Sequence, residues 1–116
     1  MIFICYSKCS TCQKAQKYLD ERGVQYMVRS IRDQKPSREE LAAWHAQSGL
    51  ELKRFFNTSG LQYRALGLKE KLPGMSEDDM LDLLATDDML VKRPLLISQD
   101  HVLVGFKEKE WDALIG

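Results

Sequence analysis

The sequence predicts a small α/β fold in which a βαβ unit and a ββα unit flank an all-helical insertion. Three observations predict it. Met1-Ile-Phe-Ile-Cys5 is a continuously apolar run followed by a helical pattern and a second strand-like segment within about 30 residues, the length of a parallel βαβ crossover. From Ser37 to Ala85 apolar residues recur at helical spacing between Gly, Pro and Ser punctuation. Two short apolar stretches then enclose Gln99-Asp100-His101, ahead of a last amphipathic segment.

In chain order, Met1 to Cys5 reads as a strand buried on both faces in the middle of a sheet, with Cys5 in the core. From Cys12 to Arg22, Ala15, Tyr18 and Leu19 follow helical periodicity and Gly23 supplies the stop. Gln25 to Ile31 returns to strand character. Ser37, with Glu40 three residues on, starts the insertion as a reciprocal cap, and Leu41, Ala42 and Trp44 supply that helix with its apolar side. Gly49 and Gly60 bracket a helical stretch around Leu52 to Phe56; a further one runs from Leu61 to Leu66, with Gly67 as its stop. Pro73-Gly74 is a turn, after which Ser76 caps a helix carrying Met80, Leu81, Leu83 and Leu84, with Glu77, Asp78 and Asp79 at its positive end. Pro94 to Ser98 and Val102 to Phe106 form an antiparallel hairpin. Lys107 to Ile115 closes the chain as a helix with Trp111, Leu114 and Ile115 facing inward.

A chain of 116 residues suits one domain, residues 1–116, that buries roughly two-thirds of its unfolded surface, with the insertion at about residues 37–86. Seventeen basic and seventeen acidic residues cancel, so no net field favours nucleic acid or an anionic membrane. Direct nucleic-acid binding and membrane association are therefore not expected. No run approaches the roughly 18 apolar residues of a membrane span, and the N-terminus lacks a signal-peptide pattern. The expected compartment is the cytoplasm. Three cysteines are too few and odd in number for a disulfide scaffold, in keeping with a reducing compartment.

The chemical content concentrates in Cys9-Ser10-Thr11-Cys12, a C-x-x-C at a strand-to-helix junction, which is the sequence form of a thioredoxin-like redox site. A thiol attacks as thiolate. A free cysteine, with a pKa of about 8.5, is mostly protonated near neutrality, and a helix N-terminus lowers that value to roughly 3.5–7.5. Cys9 stands where it gains from the helix and Lys8 adjoins it with positive charge. Cys12, one helical turn on, is placed to attack a mixed disulfide on Cys9. This assigns Cys9 as nucleophile and Cys12 as resolving thiol, joined in a redox-active disulfide, with Ser10 and Thr11 keeping the loop compact. Two other readings stay open. Half a zinc site would need ligands from Cys5, His45 and His101, none spaced as a second pair; two inert buried thiols would need no partner at all.

Arg93-Pro94 is the second informative feature. One reading is a strand start with a solvated arginine. The other is a cis peptide facing the cysteine loop, where Arg93 lowers the thiolate's pKa and orients an anionic substrate while Pro94 shapes the groove. Substrate contacts are accordingly assigned to Lys8, Ser10, Thr11, Arg93 and Pro94. His45 and His101 read as surface residues, the Lys69-Glu70-Lys71 and Lys107-Glu108-Lys109-Glu110 runs as solvated, and Tyr6, Phe55, Phe56 and Tyr63 as core or pocket wall.

With Tyr6-Ser-Lys-Cys9-Ser-Thr-Cys12-Gln-Lys-Ala15, Tyr63-Arg-Ala-Leu-Gly67-Leu, Lys92-Arg93-Pro94-Leu-Leu and Val104-Gly105-Phe106 in this order, nearly the whole chain resembles the arsenate reductase and Spx family. The resemblance implies a thioredoxin-like core with a helical insertion between its halves. In glutaredoxin-linked arsenate reductases one cysteine forms the arsenate adduct and three arginines hold the oxyanion. By resemblance Cys9 matches the cysteine and Arg93 one arginine, whereas the last hairpin carries Gly105-Phe106-Lys107 where the family has another. An oxyanion of that charge needs matching charge-assisted donors, so arsenate ranks behind other oxidised substrates. Members of the Spx branch carry a C-x-x-C that toggles between thiol and disulfide and act by binding RNA polymerase. The expected function is thus a thiol-disulfide oxidoreductase acting on an oxidised small molecule or protein thiol. It needs no bound cofactor or metal and takes glutathione, glutaredoxin or thioredoxin as external reductant. An Spx-like regulator and an arsenate reductase are the alternatives.

Overall fold

A strand that is apolar at every position is buried on both faces only inside a sheet, and Ile2–Cys5 (β1) takes that place in the computed structural model, which describes residues 1–115. The other elements follow as α1 (Ser10–Glu21), β2 (Met27–Ser30), α2 (Arg38–Ser48), α3 (Leu61–Ala65), α4 (Leu68–Lys71), α5 (Glu77–Thr86), β3 (Leu95–Ile97), β4 (Val102–Val104) and α6 (Glu108–Ile115). The chain divides into two compact units: Met1–Gln34 with the chain from Arg93 on, and Lys35–Lys92.

The first unit holds the sheet, in the order β2-β1-β3-β4. β2 runs parallel to β1, with Phe3 opposite Val28 and Cys5 opposite Ser30. β3 pairs antiparallel on the other side, with Phe3 opposite Leu96, and β4 completes the hairpin. The pleat turns alternate side chains to opposite faces, so Phe3 and Cys5 share one. On that face they pack with Cys12, Ala15, Tyr18 and Leu19 of α1, with Leu96, and with Trp111 of α6. Gly23, at φ +66°, ends α1 in the left-handed conformation that a side chain disfavours.

The second unit is built from α2 to α5. Ser37 and Glu40 form the capping box that the sequence spells, Glu40 Oε1 accepting from the Ser37 amide at 3.0 Å and Ser37 Oγ from the Glu40 amide at 3.1 Å. Ser76 Oγ accepts from the Asp79 amide at 3.1 Å to start α5. Leu41 and Trp44 of α2, and Met80, Leu81 and Leu84 of α5, are buried. The unit continues past α5 through a one-turn 3₁₀ helix, Asp88–Leu90, to Val91, which bridges antiparallel to Phe56. Replacing Ser37 with Ala is expected to cost about 1 kcal/mol in urea unfolding, the usual worth of a lost cap.

Several boundaries differ from expectation. α1 begins at Ser10 instead of Cys12, because Ser10 and Thr11 lie in its first turn and are no loop. β2 is four residues, since Gln25 and Tyr26 precede its pairing and Ile31 follows it. α4 carried no signal, being a single turn started by Gly67 at φ +64°. His45 is less exposed than a surface residue: its ring meets Phe55 edge-on at 6.0 Å and its Nε2 lies 3.7 Å from Glu77. Among the described residues no helix is long and apolar enough to cross a membrane.

Candidate active site

The first helical turn after β1 gathers the thiols. Cys9 is the N-cap residue of α1 and does the work usually done by serine or aspartate: its sulfur accepts a hydrogen bond from the amide of Cys12, the third helical residue, at 3.4 Å. Its own amide donates to the carbonyl of Tyr6 at 2.9 Å. The amide of Tyr6 donates to the Cys12 sulfur at 3.4 Å. The main chain of Tyr6 therefore holds both halves of the C-x-x-C, and its ring carries the guanidinium of Arg93 at 5.2 Å and that of Arg32 at 5.8 Å from its centroid. Sequence reasoning placed Tyr6 as wall and passed over Arg32. Position six in a strand-to-loop junction gives no periodic signal, and a cation near a ring is a property of the folded chain alone.

The two thiols are pushed apart in acidity. At Cys9, burial opposes ionisation but is outweighed by hydrogen bonds from the Cys12 amide, the Cys12 thiol and the Thr11 amide, together with the charge of Arg93, so its pKa lies below that of an ordinary thiol. At Cys12, which is 3% exposed, burial dominates and the hydrogen bond and charge of Cys9 add to it, overcoming the Tyr6 amide; its pKa is pushed up to about 12. Cys5, also buried, is raised by burial and by Cys9. All three cysteines are free thiols.

The remaining predicted site residues fall in two groups. Lys8, Ser10 and Thr11 are exposed around Cys9, and the Thr11 amide touches its sulfur as a helical donor. Arg93 is half-buried on Tyr6 and is no freely solvated side chain; the Arg93–Pro94 peptide is cis. Pro94 is buried, and its carbonyl accepts from the Gly105 amide at 2.8 Å. Among the described residues no group of three His, Cys, Asp or Glu side chains is placed to hold a metal ion.

Because only the thiolate is alkylated, the rate of iodoacetamide labelling at Cys9 should rise with pH and level off below the range of an ordinary thiol, while Cys12 reacts only as pH nears about 12. Arg93→Met removes a positive charge that favours the anion, so the Cys9 midpoint should move up. Tyr6→Leu should move it the same way and Tyr6→Phe should not, if the ring is what holds the cation. Rate profiles resolved by peptide mass spectrometry check both.

The ArsC family model matches residues 5–114. The chain belongs to the ArsC family. Its thioredoxin-like fold is that of solved ArsC structures: an ArsC family related protein from Bacteroides fragilis is 52% identical, with a TM-score of 0.94 over 97% of this chain and 95% of that one. The crystal structure of a possible arsenate reductase from Streptococcus mutans UA159 is 44% identical, with a TM-score of 0.86 over 96% of each chain. YusI, an uncharacterized protein of Bacillus subtilis strain 168, is 54% identical over 97% of this chain and 95% of its own. A more distant ArsC relative, the global transcriptional regulator Spx of Streptococcus pyogenes serotype M1, is 25% identical over 92% of this chain and 78% of its own.

Proposed function

We propose that this chain is a cytoplasmic thiol-disulfide oxidoreductase whose Cys9 and Cys12 cycle between dithiol and disulfide. The observation that carries the reading is the placement of two thiols one helical turn apart: the Cys9 sulfur caps α1 and accepts from the Cys12 amide at 3.4 Å, which favours it as the anion, while Cys12 is buried beneath it, which holds it as a neutral thiol. Two titratable groups with environments that push their pKa values apart mark a division of roles.

The Cys9 thiolate attacks one sulfur of the substrate's disulfide; a Cys9–substrate S–S bond forms as the substrate's own S–S bond breaks, releasing its other half as the first thiolate. The Cys12 sulfur, losing its proton, then attacks Cys9 in the mixed disulfide and expels the second, leaving Cys9–Cys12. An external dithiol or two molecules of glutathione restore the pair; glutaredoxin or thioredoxin fits the same step. Arg93 holds the thiolate and meets an anionic substrate, Lys8 adds charge at the rim, the exposed Ser10 and Thr11 face the incoming molecule, and Pro94 shapes the wall beside it.

Two further readings have their own support. The Spx relative favours a redox-sensing regulator that binds RNA polymerase, and the S. mutans protein favours arsenate as substrate. One set of measurements separates the three: NADPH consumption coupled through glutathione or thioredoxin with hydroxyethyl disulfide, the same with arsenate, and capture of purified RNA polymerase by the reduced and oxidised protein. Disulfide-dependent turnover is expected. Polymerase capture that depends on redox state, without turnover, would replace the enzyme by the regulator, and arsenate-dependent turnover alone would replace the substrate.

A further inference from the structure

The reaction above leaves one buried nucleophile unused. Cys5 ends β1, and the pleat turns its side chain with that of Phe3 toward α1, into the cluster that also contains Cys12 and Ala15 and against which Cys9 packs. The Cys12 sulfur accepts from the amide of Tyr6, the residue bonded to Cys5, at 3.4 Å. Two backbone bonds lead from that nitrogen to the Cys5 Cα, so the Cys12 sulfur stands within about 6 Å of it. Three thiols thus share one side of one sheet, with Cys12 between strand and helix mouth.

We propose that Cys5 is a third redox thiol, which attacks Cys12 in the Cys9–Cys12 disulfide and moves the bond inward to Cys5–Cys12. The inference rests on the Cys9/Cys12 reading above. Cys5 gives its proton to solvent, its sulfur bonds to that of Cys12, and the Cys9–Cys12 bond breaks with its electron pair leaving on Cys9 as thiolate. No external oxidant or reductant is consumed. Exchange expels the thiol of lower pKa faster. Of the three it is Cys9 that is lowered, while burial raises both Cys5 and Cys12. The inward bond therefore joins the two sulfurs that ionise least and returns Cys9 to its reactive form. The protein then stores a two-electron oxidation as a buried disulfide beneath a nucleophile that is free to capture a second substrate.

Tryptic cleavage after Lys8 and Lys14 separates Cys5 from the peptide that carries Cys9 and Cys12. Wild-type protein is oxidised with one equivalent of diamide, left to equilibrate, alkylated with iodoacetamide, digested and mapped. The expected product is peptide 1–8 disulfide-linked to peptide 9–14, with the alkyl group on Cys9. In Cys5→Ala the same treatment should leave Cys9 protected, its labelling reduced about tenfold against the oxidised wild type, as expected when the exchange has no acceptor. A Cys9–Cys12 bond with the alkyl group on Cys5 would overturn the inference and leave the oxidoreductase reading standing, whereas a Cys5–Cys9 bond would overturn the inference and also remove Cys12 as the resolving thiol. No intramolecular bond at all would remove both. The wild-type map decides even if the variant does not fold.

Discussion

Cys9→Ser is expected to reduce turnover of hydroxyethyl disulfide by at least about a thousandfold, the scale on which loss of a covalent nucleophile is felt. A serine oxygen is not ionised near neutrality and forms no disulfide, so the first step has no substitute. The site makes this variant unusually clean. Cys9 is the N-cap of α1, accepting from the Cys12 amide, and serine is among the best residues at that position. The substitution should hold the helix at least as well as the cysteine does, and circular dichroism and urea unfolding should stay within about 1 kcal/mol of wild type. Cys12→Ser should behave differently: the nucleophile survives, the first step proceeds, and the protein accumulates as a mixed disulfide visible as an added mass. Retention of more than a tenth of the activity in Cys9→Ser would end the assignment of the nucleophile.

What the sequence made legible was whatever repeats or is chemically rare. β1 is apolar throughout and lies inside the sheet; Ser37 with Glu40 and Ser76 with Asp79 sit at helix starts; the C-x-x-C stands at a helix mouth. What stayed hidden was short or made by long-range contact. The start of α1 was displaced because Ser10 and Thr11 read as turn residues and cysteine is no usual cap. The single turn of α4 and the 3₁₀ helix Asp88–Leu90 are too brief for a period to emerge. At the site, the roles proposed for the two thiols were read from their places at the helix mouth and one turn on, but the arrangement that separates their acidity could not be read there. It comes from the burial of Cys12 and from the helix amides and the Arg93 charge that favour the Cys9 anion, overcoming the Tyr6 amide at Cys12, while the Tyr6 ring gathers Arg32 and Arg93 from distant parts of the sequence.

Trp111→Ala should be the most damaging single substitution in the unit that carries the thiols, at about 3–5 kcal/mol, the range for truncating a large buried aromatic. Trp111 is fully buried; it meets Phe3, Tyr18 and Phe106 edge-to-face at centroid distances of 6.4, 6.0 and 5.0 Å. Its Nε1 donates to the Gly105 carbonyl at 3.0 Å. α6 is eight residues long and Trp111 is its one fully buried side chain, with Leu114 and Ile115 only partly buried against the same cluster. Trp111→Phe should keep most of the packing and lose about 1–3 kcal/mol through the carbonyl left unpaired. The contact also leads to the site: Gly105, held by Trp111 through its carbonyl, donates its amide to the carbonyl of Pro94, the residue after Arg93. If that path positions the guanidinium on Tyr6, Trp111→Phe should raise the midpoint of Cys9 alkylation as well as lower the urea midpoint. A fall in stability with an unchanged Cys9 profile would show that Arg93 is placed by Tyr6 alone.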